Sequence, residues 1–315
     1  MQAGLKTIKR VIKEIIGFLL KYSGVSLLIR EILCRNKATI VVYHDPKPEI
    51  FERHIRYLSL RYNIIPLNKL ITAIYEKDWS IIPVKSLIIT IDDGRKGNYE
   101  LLEIFKTYNI KPTLFLCSHI VNTNRHLWWQ TGCSKLENFK RLPYDLMLKL
   151  LHDQVDYKPE KEYKERQVLN KSEIIDMLPY VDFGSHTKFH PILTTCTDKE
   201  CKEEIKGSKD YLEKLLGKKI KHFCYPNGNY AEREIQYLKS CSYKSARTLD
   251  IGWNDLNTDP YRLKSLYIED DASINMLSAQ VSGISGFLKF LRYTNIKDYI
   301  SYFCPNNGER LTFQR

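Results

Sequence analysis

Residues 87 to 94, LIITIDDG, carry a strand's length of apolar side chains straight into two adjacent aspartates, Asp92 and Asp93. Two neighbouring carboxylates repel one another, and a buried charge needs a partner or a metal. The pair therefore calls for a cation. Further along, DFGSHTKFHP (182 to 191) sets His186 and His190 four residues apart. That spacing lets both imidazoles face one point. Pro191 disfavours helical backbone at His190, which predicts a turn at a strand end instead of a helical pair. Two neutral imidazoles and one carboxylate suit a borderline divalent ion such as Zn2+ and leave positions open for water and substrate. One aspartate can then ligate while the other stays free as a base.

Such residues must be held by strand ends, and the sequence supplies them. Short β-rich runs occur at ATIVVY (38 to 43), SLIITI (86 to 91), PTLFLC (112 to 117), YVDFGS (180 to 185), KHFCY (221 to 225) and YKSART (243 to 248). Helical patterns lie between them. Residues 198 to 216 have a capping box of Thr197 and Glu200, an apolar stripe of Cys201, Ile205, Leu212 and Leu216, and a stop at Gly217. Alternation of this kind predicts a parallel α/β architecture, open or closed into a barrel. Polar residues gather just after the strand runs, at Tyr43-His44-Asp45, Asp92-Asp93, Ser118-His119, His186 and Pro226-Asn227-Gly228. In parallel α/β folds that edge is where sites are assembled. The long segment 119 to 179, with a helix expected near 143 to 154 and the pair Trp128-Trp129, reads as an insertion over this rim.

With 315 residues, 43% hydrophobic and 27% charged, the chain can bury a full core, and disorder is not its default. Its eight cysteines (34, 117, 133, 196, 201, 224, 241 and 304) form no CxxC pair and sit largely in apolar runs, which favours reduced thiols and a cytoplasmic setting. Residues 1 to 37 hold eight lysines and arginines against two glutamates, a net +6 that is half of the chain's +12. The charge is local, so no nucleic-acid partner is expected. In the same segment Leu5, Ile8, Ile12, Ile15, Ile16 and Leu19 recur at helical spacing. Lys13, Glu14 and Lys21 interrupt the roughly 20 apolar residues that a membrane span requires, and no small-residue cleavage site follows. Two readings stay open: a helix lying on an anionic membrane, peripheral on its inner face, or a helix packed on the domain with its apolar face covered.

Taken together, the motifs resemble the polysaccharide deacetylase family, the NodB-like carbohydrate esterases. Thr90-Ile91-Asp92-Asp93-Gly94 is similar to the family's first motif, Ser185-His186-Thr187-Lys188-Phe189-His190-Pro191 to its second, and Phe223-Cys224-Tyr225-Pro226-Asn227-Gly228 to a variant of its third, with an upstream YH element at Tyr43-His44. The resemblance spans about 38 to 280, between the basic helical segment 1 to 37 and a C-terminal extension, 281 to 315. It implies a distorted (β/α) barrel that removes acetyl groups from an N-acetylated glycan or lipid-linked sugar. It also implies Asp93, His186 and His190 as ligands of a divalent metal, most readily Zn2+, Asp92 as general base, and the backbone N–H of Asn227 as an oxyanion donor.

Two departures are visible. Cys224 stands where the family's third motif has an arginine that orients the base, and no histidine follows His222, so the family's late general-acid histidine is absent. His44 is the substitute acid suggested by position. The competing readings are a catalytically weak glycan-binding relative and an amidase acting on a non-sugar C–N bond. Retention of Asp92, Asp93, His186 and His190 favours an enzyme, and Trp128-Trp129 favours a sugar, because indole rings stack on pyranose faces.

Overall fold

The computed structural model describes residues 2 to 133 and 136 to 284; most of the expected C-terminal extension lies outside them. Eight strands, β1 (Ala38–Tyr43), β2 (Asn63–Ile64), β3 (Ser86–Ile91), β4 (Thr113–Leu116), β5 (Asp182–Ser185), β6 (His222–Cys224), β7 (Ser245–Ile251) and β8 (Leu263–Tyr267), alternate with helices. The main helices are α1 (Gln2–Tyr22), α2 (Pro48–Ser59), α3 (Leu67–Glu76), α4 (Leu102–Thr107), α5 (Tyr144–Val155), α6 (Lys171–Met177), α7 (Asp198–Leu216), α8 (Glu232–Ser240) and α9 (Ile274–Val281). All six expected strand runs form.

The strands pair in parallel, and β1 closes the sheet by pairing with both β3 and β8, giving a barrel of seven strands. The two-residue β2 sits outside that count: it borders the start of β3, at Ser86 and Leu87, while β4 borders the end, at Thr90 and Ile91. Strand β2 and strand β8 were not among the expected runs. β2 is too short to show a pattern, and β8 (LKSLY) is interrupted by exposed residues at Lys264 and Tyr267, so it offers neither a continuous apolar run nor a regular alternation.

Strand residues are buried on both faces because helices cover the outside while side chains fill the inside. On β1 and β3, Ile40 and Ile88 join an interior cluster with Phe115, Cys224 and Leu263, whereas Val41, Tyr43, Leu87 and Ile89 belong to the cluster beneath the helices. By the two-residue alternation of a strand, Ile88, Thr90 and Asp92 point inward, as do Ser245 and Arg247 on β7. Interior space is tight: a Cβ on Gly184 of β5 would come within 2.5 Å of the Phe115 ring. Helix α7 begins and ends where expected, with Thr197 and Glu200 forming the reciprocal cap and Gly217 in the left-handed conformation (φ 64°).

Helix α1 packs along α9, and here the structure corrects an expectation. The covered face is not apolar. Lys13 pairs with Glu269, the Ser273 hydroxyl donates to Glu14, and Lys21 donates to Asn275 (3.1 Å). Gly17 is the crossing point, where a Cβ would lie 3.0 Å from the Asn275 carbonyl carbon. Of the expected apolar stripe, Ile12, Ile15 and Leu19 face outward and Ile16 is partly buried, while the side chains of Leu5 and Ile8 lie outside the described residues. None of the described helices is long and apolar enough to cross a membrane.

Candidate active site

The site lies at the carboxyl ends of β1, β3, β5, β6 and β7. After β3 the chain passes through two left-handed residues, Asp93 (φ 72°) and Gly94 (φ 67°). Gly94 is required there, since a Cβ would stand 2.7 Å from Leu116 Cδ2. This turn places Asp93 beside the segment after β5: its Oδ1 is 3.6 Å from His186 Nε2 and 3.7 Å from His190 Nε2. The three ligand atoms lie within 4.8 Å of one another. His186 Nδ1 is 2.8 Å from the Cys224 carbonyl oxygen, so Nδ1 carries the proton and the Nε2 lone pair faces Asp93.

The histidine turn is strained and gripped from outside. Thr187 and His190 both adopt positive φ (66° and 61°), a cost sustained only where surrounding contacts enforce it. The Thr187 hydroxyl accepts from His190 N–H (2.9 Å), Glu204 of α7 accepts from the N–H groups of Lys188 (2.7 Å) and Phe189 (3.1 Å), and the Trp128 indole donates to the His190 carbonyl (3.0 Å). The turn expected from Pro191 is therefore present. Trp128 is buried and serves this bond; Trp129, partly exposed, sets its ring edgewise 4.2 Å from that of His190.

Burial lowers the pKa of both imidazoles, that of His190 well below its ordinary value with the neighbouring His186 adding to the effect. Burial raises the Asp93 carboxyl, against the pull of His44 and His186. Asp93 Oδ1 has no hydrogen-bond partner among the described residues. A carboxylate oxygen and two neutral ring nitrogens thus converge with no donor among them. A divalent cation fits this set, which is one carboxylate and two imidazoles around a shared point. Asp92, His186 and Cys224 also come within ligand range of one another, but there a cation of the chain is already in place.

That cation is Arg247. From β7 its guanidinium reaches across the barrel to contact both Asp92 Oδ2 and Cys224 Sγ, with Asp92 3% and Arg247 1% exposed. Burial works to raise the Asp92 carboxyl, but Arg247, with His186 and His44, outweighs it and holds the group below its ordinary value. The two adjacent aspartates have opposite surroundings. Sequence reasoning found Cys224 in place of an orienting arginine and missed that the next strand supplies one. The signal was the arginine of YKSART, at the parity of Ser245, inside a strand that is otherwise buried.

His44 follows β1. Its backbone N–H donates to Asp270 (3.0 Å), its carbonyl accepts from Asn98 (2.8 Å), and its ring lies 5.7 Å from that of Tyr267. The ring acts on the charges of both aspartates, and its Nδ1 is buried without a partner among the described residues. His222, by contrast, sits at the start of β6 and bonds Ser245 and Asn68 (2.8 and 2.9 Å), away from the site. Asn227 occupies the single turn Pro226–Gly228 after β6 in a left-handed conformation (φ 56°). Its side-chain amide donates to Asn229.

Comparison with known proteins places this barrel and its rim in a class. The family model of polysaccharide deacetylases matches residues 82 to 246, just over half of the chain. The chain belongs to the polysaccharide deacetylase family. Among solved structures it is similar to the Streptococcus pyogenes deacetylase PplD in complex with acetate (18% identity, TM-score 0.59, covering 78% of this chain and 98% of that one). It is also similar to IcaB from Ammonifex degensii (15%, TM-score 0.57, 78% and 97%) and to BC0361, a polysaccharide deacetylase from Bacillus cereus (19%, TM-score 0.55, 78% and 69%). These structures share the barrel. No curated protein sequence matches the chain.

Proposed function

We propose that the protein hydrolyses the N-acetyl group of an amino sugar within a glycan or glycolipid, releasing acetate and leaving a free amine. The observation that carries this reading is the opposite fate of the two aspartates after β3: one faces two neutral imidazoles with its Oδ1 unpartnered among the described residues, the other is gripped by a buried arginine. Asp93, His186 and His190 would hold a divalent ion, most readily Zn2+. Such an ion supplies Lewis acidity to the acetamide carbonyl and makes a nearby water more acidic.

The chain's own residues do the remaining work. Asp92, kept ionised by Arg247, takes the proton from the attacking water. The N–H of Asn227 donates to the oxygen on which negative charge develops as the acyl carbon becomes tetrahedral. His44 gives a proton to the sugar nitrogen as the C–N bond breaks. Water is consumed, and acetate and the amine are the only products. Trp129, partly exposed beside His190, offers a face for the sugar ring.

The test is acetate release by Zn2+-loaded protein from a panel of N-acetylated oligosaccharides, with and without chelator. Release that the chelator abolishes is expected. Absence of release from every sugar, with the ion demonstrably bound, would favour a glycan-binding protein instead.

A further inference from the structure

Helix α1 reverses the usual orientation of an amphipathic helix. Its polar side chains Lys13, Glu14 and Lys21 and its Gly17 meet α9 and the loop before it. Its apolar side chains Val11, Ile12, Ile15, Phe18, Leu19 and Tyr22 are each 46% to 65% exposed. In the next two turns of chain Leu27, Leu28, Ile32 and Leu33 are exposed to a similar degree, 52% to 65%. Ten large apolar side chains on one short segment exceed the scattered exposure normal for a surface.

The charge of this segment is strongly unbalanced. Residues 1 to 37 carry eight basic residues and only two acidic ones, and both acids are engaged. Glu14 accepts from Ser273, and Glu31 is held by Arg30, Arg35 and Lys85. Beside α9, a groove lined by Arg53, Arg56, Arg61, exposed Leu60 and Ile274 adds three guanidinium groups; Ile274 adjoins Asn275, which Lys21 contacts. Lys13 pairs with Glu269, Arg30 and Arg35 share Glu31, and Arg56 pairs with Glu52, yet residues 1 to 37 keep a net +6. Apolar side chains beside this positive excess match the acyl boundary and headgroups of an anionic bilayer.

We propose that the outward face of α1 and the segment through Leu33 docks on an anionic lipid surface, with Arg53, Arg56 and Arg61 meeting headgroups. The docking face is joined to the rim of the barrel. The loop that α1 grips at Glu269 and Ser273 also carries Asp270, whose carboxylate accepts the backbone N–H groups of His44 and Asp45. Docking would therefore fix the rim's position relative to the membrane, suiting glycans held close to it. The proposal stands apart from the hydrolytic reading, and its test does not use activity.

The full chain is co-sedimented with phosphatidylcholine vesicles with and without phosphatidylglycerol, at low and high salt. Binding to the phosphatidylglycerol vesicles is expected, weakening as salt rises, with about a fivefold change for each basic group near the surface. The triple variant Ile15→Ser, Phe18→Ser, Leu19→Ser changes only exposed side chains and should lose at least about tenfold in vesicle affinity while keeping its circular dichroism spectrum and melting temperature. Arg53→Gln with Arg56→Gln should keep the apolar contribution and flatten the salt dependence. Three results would overturn the proposal: no binding of the wild type to phosphatidylglycerol vesicles, unchanged binding of the triple variant, or a wild-type dimer that the triple variant converts to monomer. The last would assign the face to a second copy of the chain.

Discussion

The barrel rim and the N-terminal helix break the rule of polar outside and apolar inside in opposite directions. At the rim, two carboxylates, two imidazoles and a guanidinium are almost completely buried. Along α1, apolar side chains stand in the open while Lys13, Glu14 and Lys21 make the contacts with the rest of the fold. The difference lies in what completes each region. Buried charge at the rim is partly answered from within the chain, by Arg247, and elsewhere forms a set that fits a small cation, which a closed barrel can hold. The apolar face of α1 has no answering surface among the described residues, and whatever satisfies it must be extended.

If the rim is catalytic and α1 is not, the largest change should come from Asp92→Asn, which keeps the shape of the side chain and removes its basicity. Acetate release should fall ~100- to 10,000-fold. A variant with near-normal turnover would place the base elsewhere.

Arg247→Met should follow. It leaves Asp92 as an unpaired buried charge, an event that costs about 3–5 kcal/mol, measurable by denaturant unfolding. It should also alter the pH profile of kcat/KM. Arg247 lowers the Asp92 pKa against the effect of burial; without it the base needs a higher pH to ionise, and the acid limb should move upward. An unmoved limb would separate Arg247 from the base.

The helix should behave differently. Gly17→Leu drives a side chain into the backbone of α9, and overpacking of this kind costs ~1–3 kcal/mol. Stability should drop while acetate release from a short soluble oligosaccharide stays within a few-fold of normal. Loss of that activity would mean that the two regions are one unit.

An effect confined to the pH dependence of stability is expected at Glu204, which supports the histidine turn. Burial pushes its pKa up to about 7 from an ordinary 4.5. Between those values the folded protein keeps a proton that the unfolded chain has released, so the group's contribution is full below about pH 4.5 and is lost as pH rises to about 7. Glu204→Gln retains an acceptor oxygen and does not titrate. Its melting temperature relative to wild type should therefore improve across that window, and a flat difference would contradict the assignment.

Much of the rim was legible in sequence because its residues follow strand runs directly: Asp92 and Asp93 after β3, His186 after β5, His44 after β1. Arg247 was not, because its partnership with Asp92 spans 155 positions and depends on barrel closure, which brings β7 opposite β3. The direction of α1 was equally hidden. Periodicity reveals that a helix has two faces, but only Gly17 at the crossing and the contacts with Glu269, Ser273 and Asn275 decide which face is covered. Strand β2 escaped because two residues hold no alternation to read.

Asp93, His186 and His190 should bind one ion while Asp92 stays outside its coordination. Calorimetric titration of Zn2+ into metal-free wild type and into Asp92→Asn, Asp93→Asn, His186→Ala and His190→Ala tests it directly. One ion per chain is expected in the wild type and in Asp92→Asn, with loss of that site in the other three. Full binding in any of those three, or loss of the ion in Asp92→Asn, would contradict it.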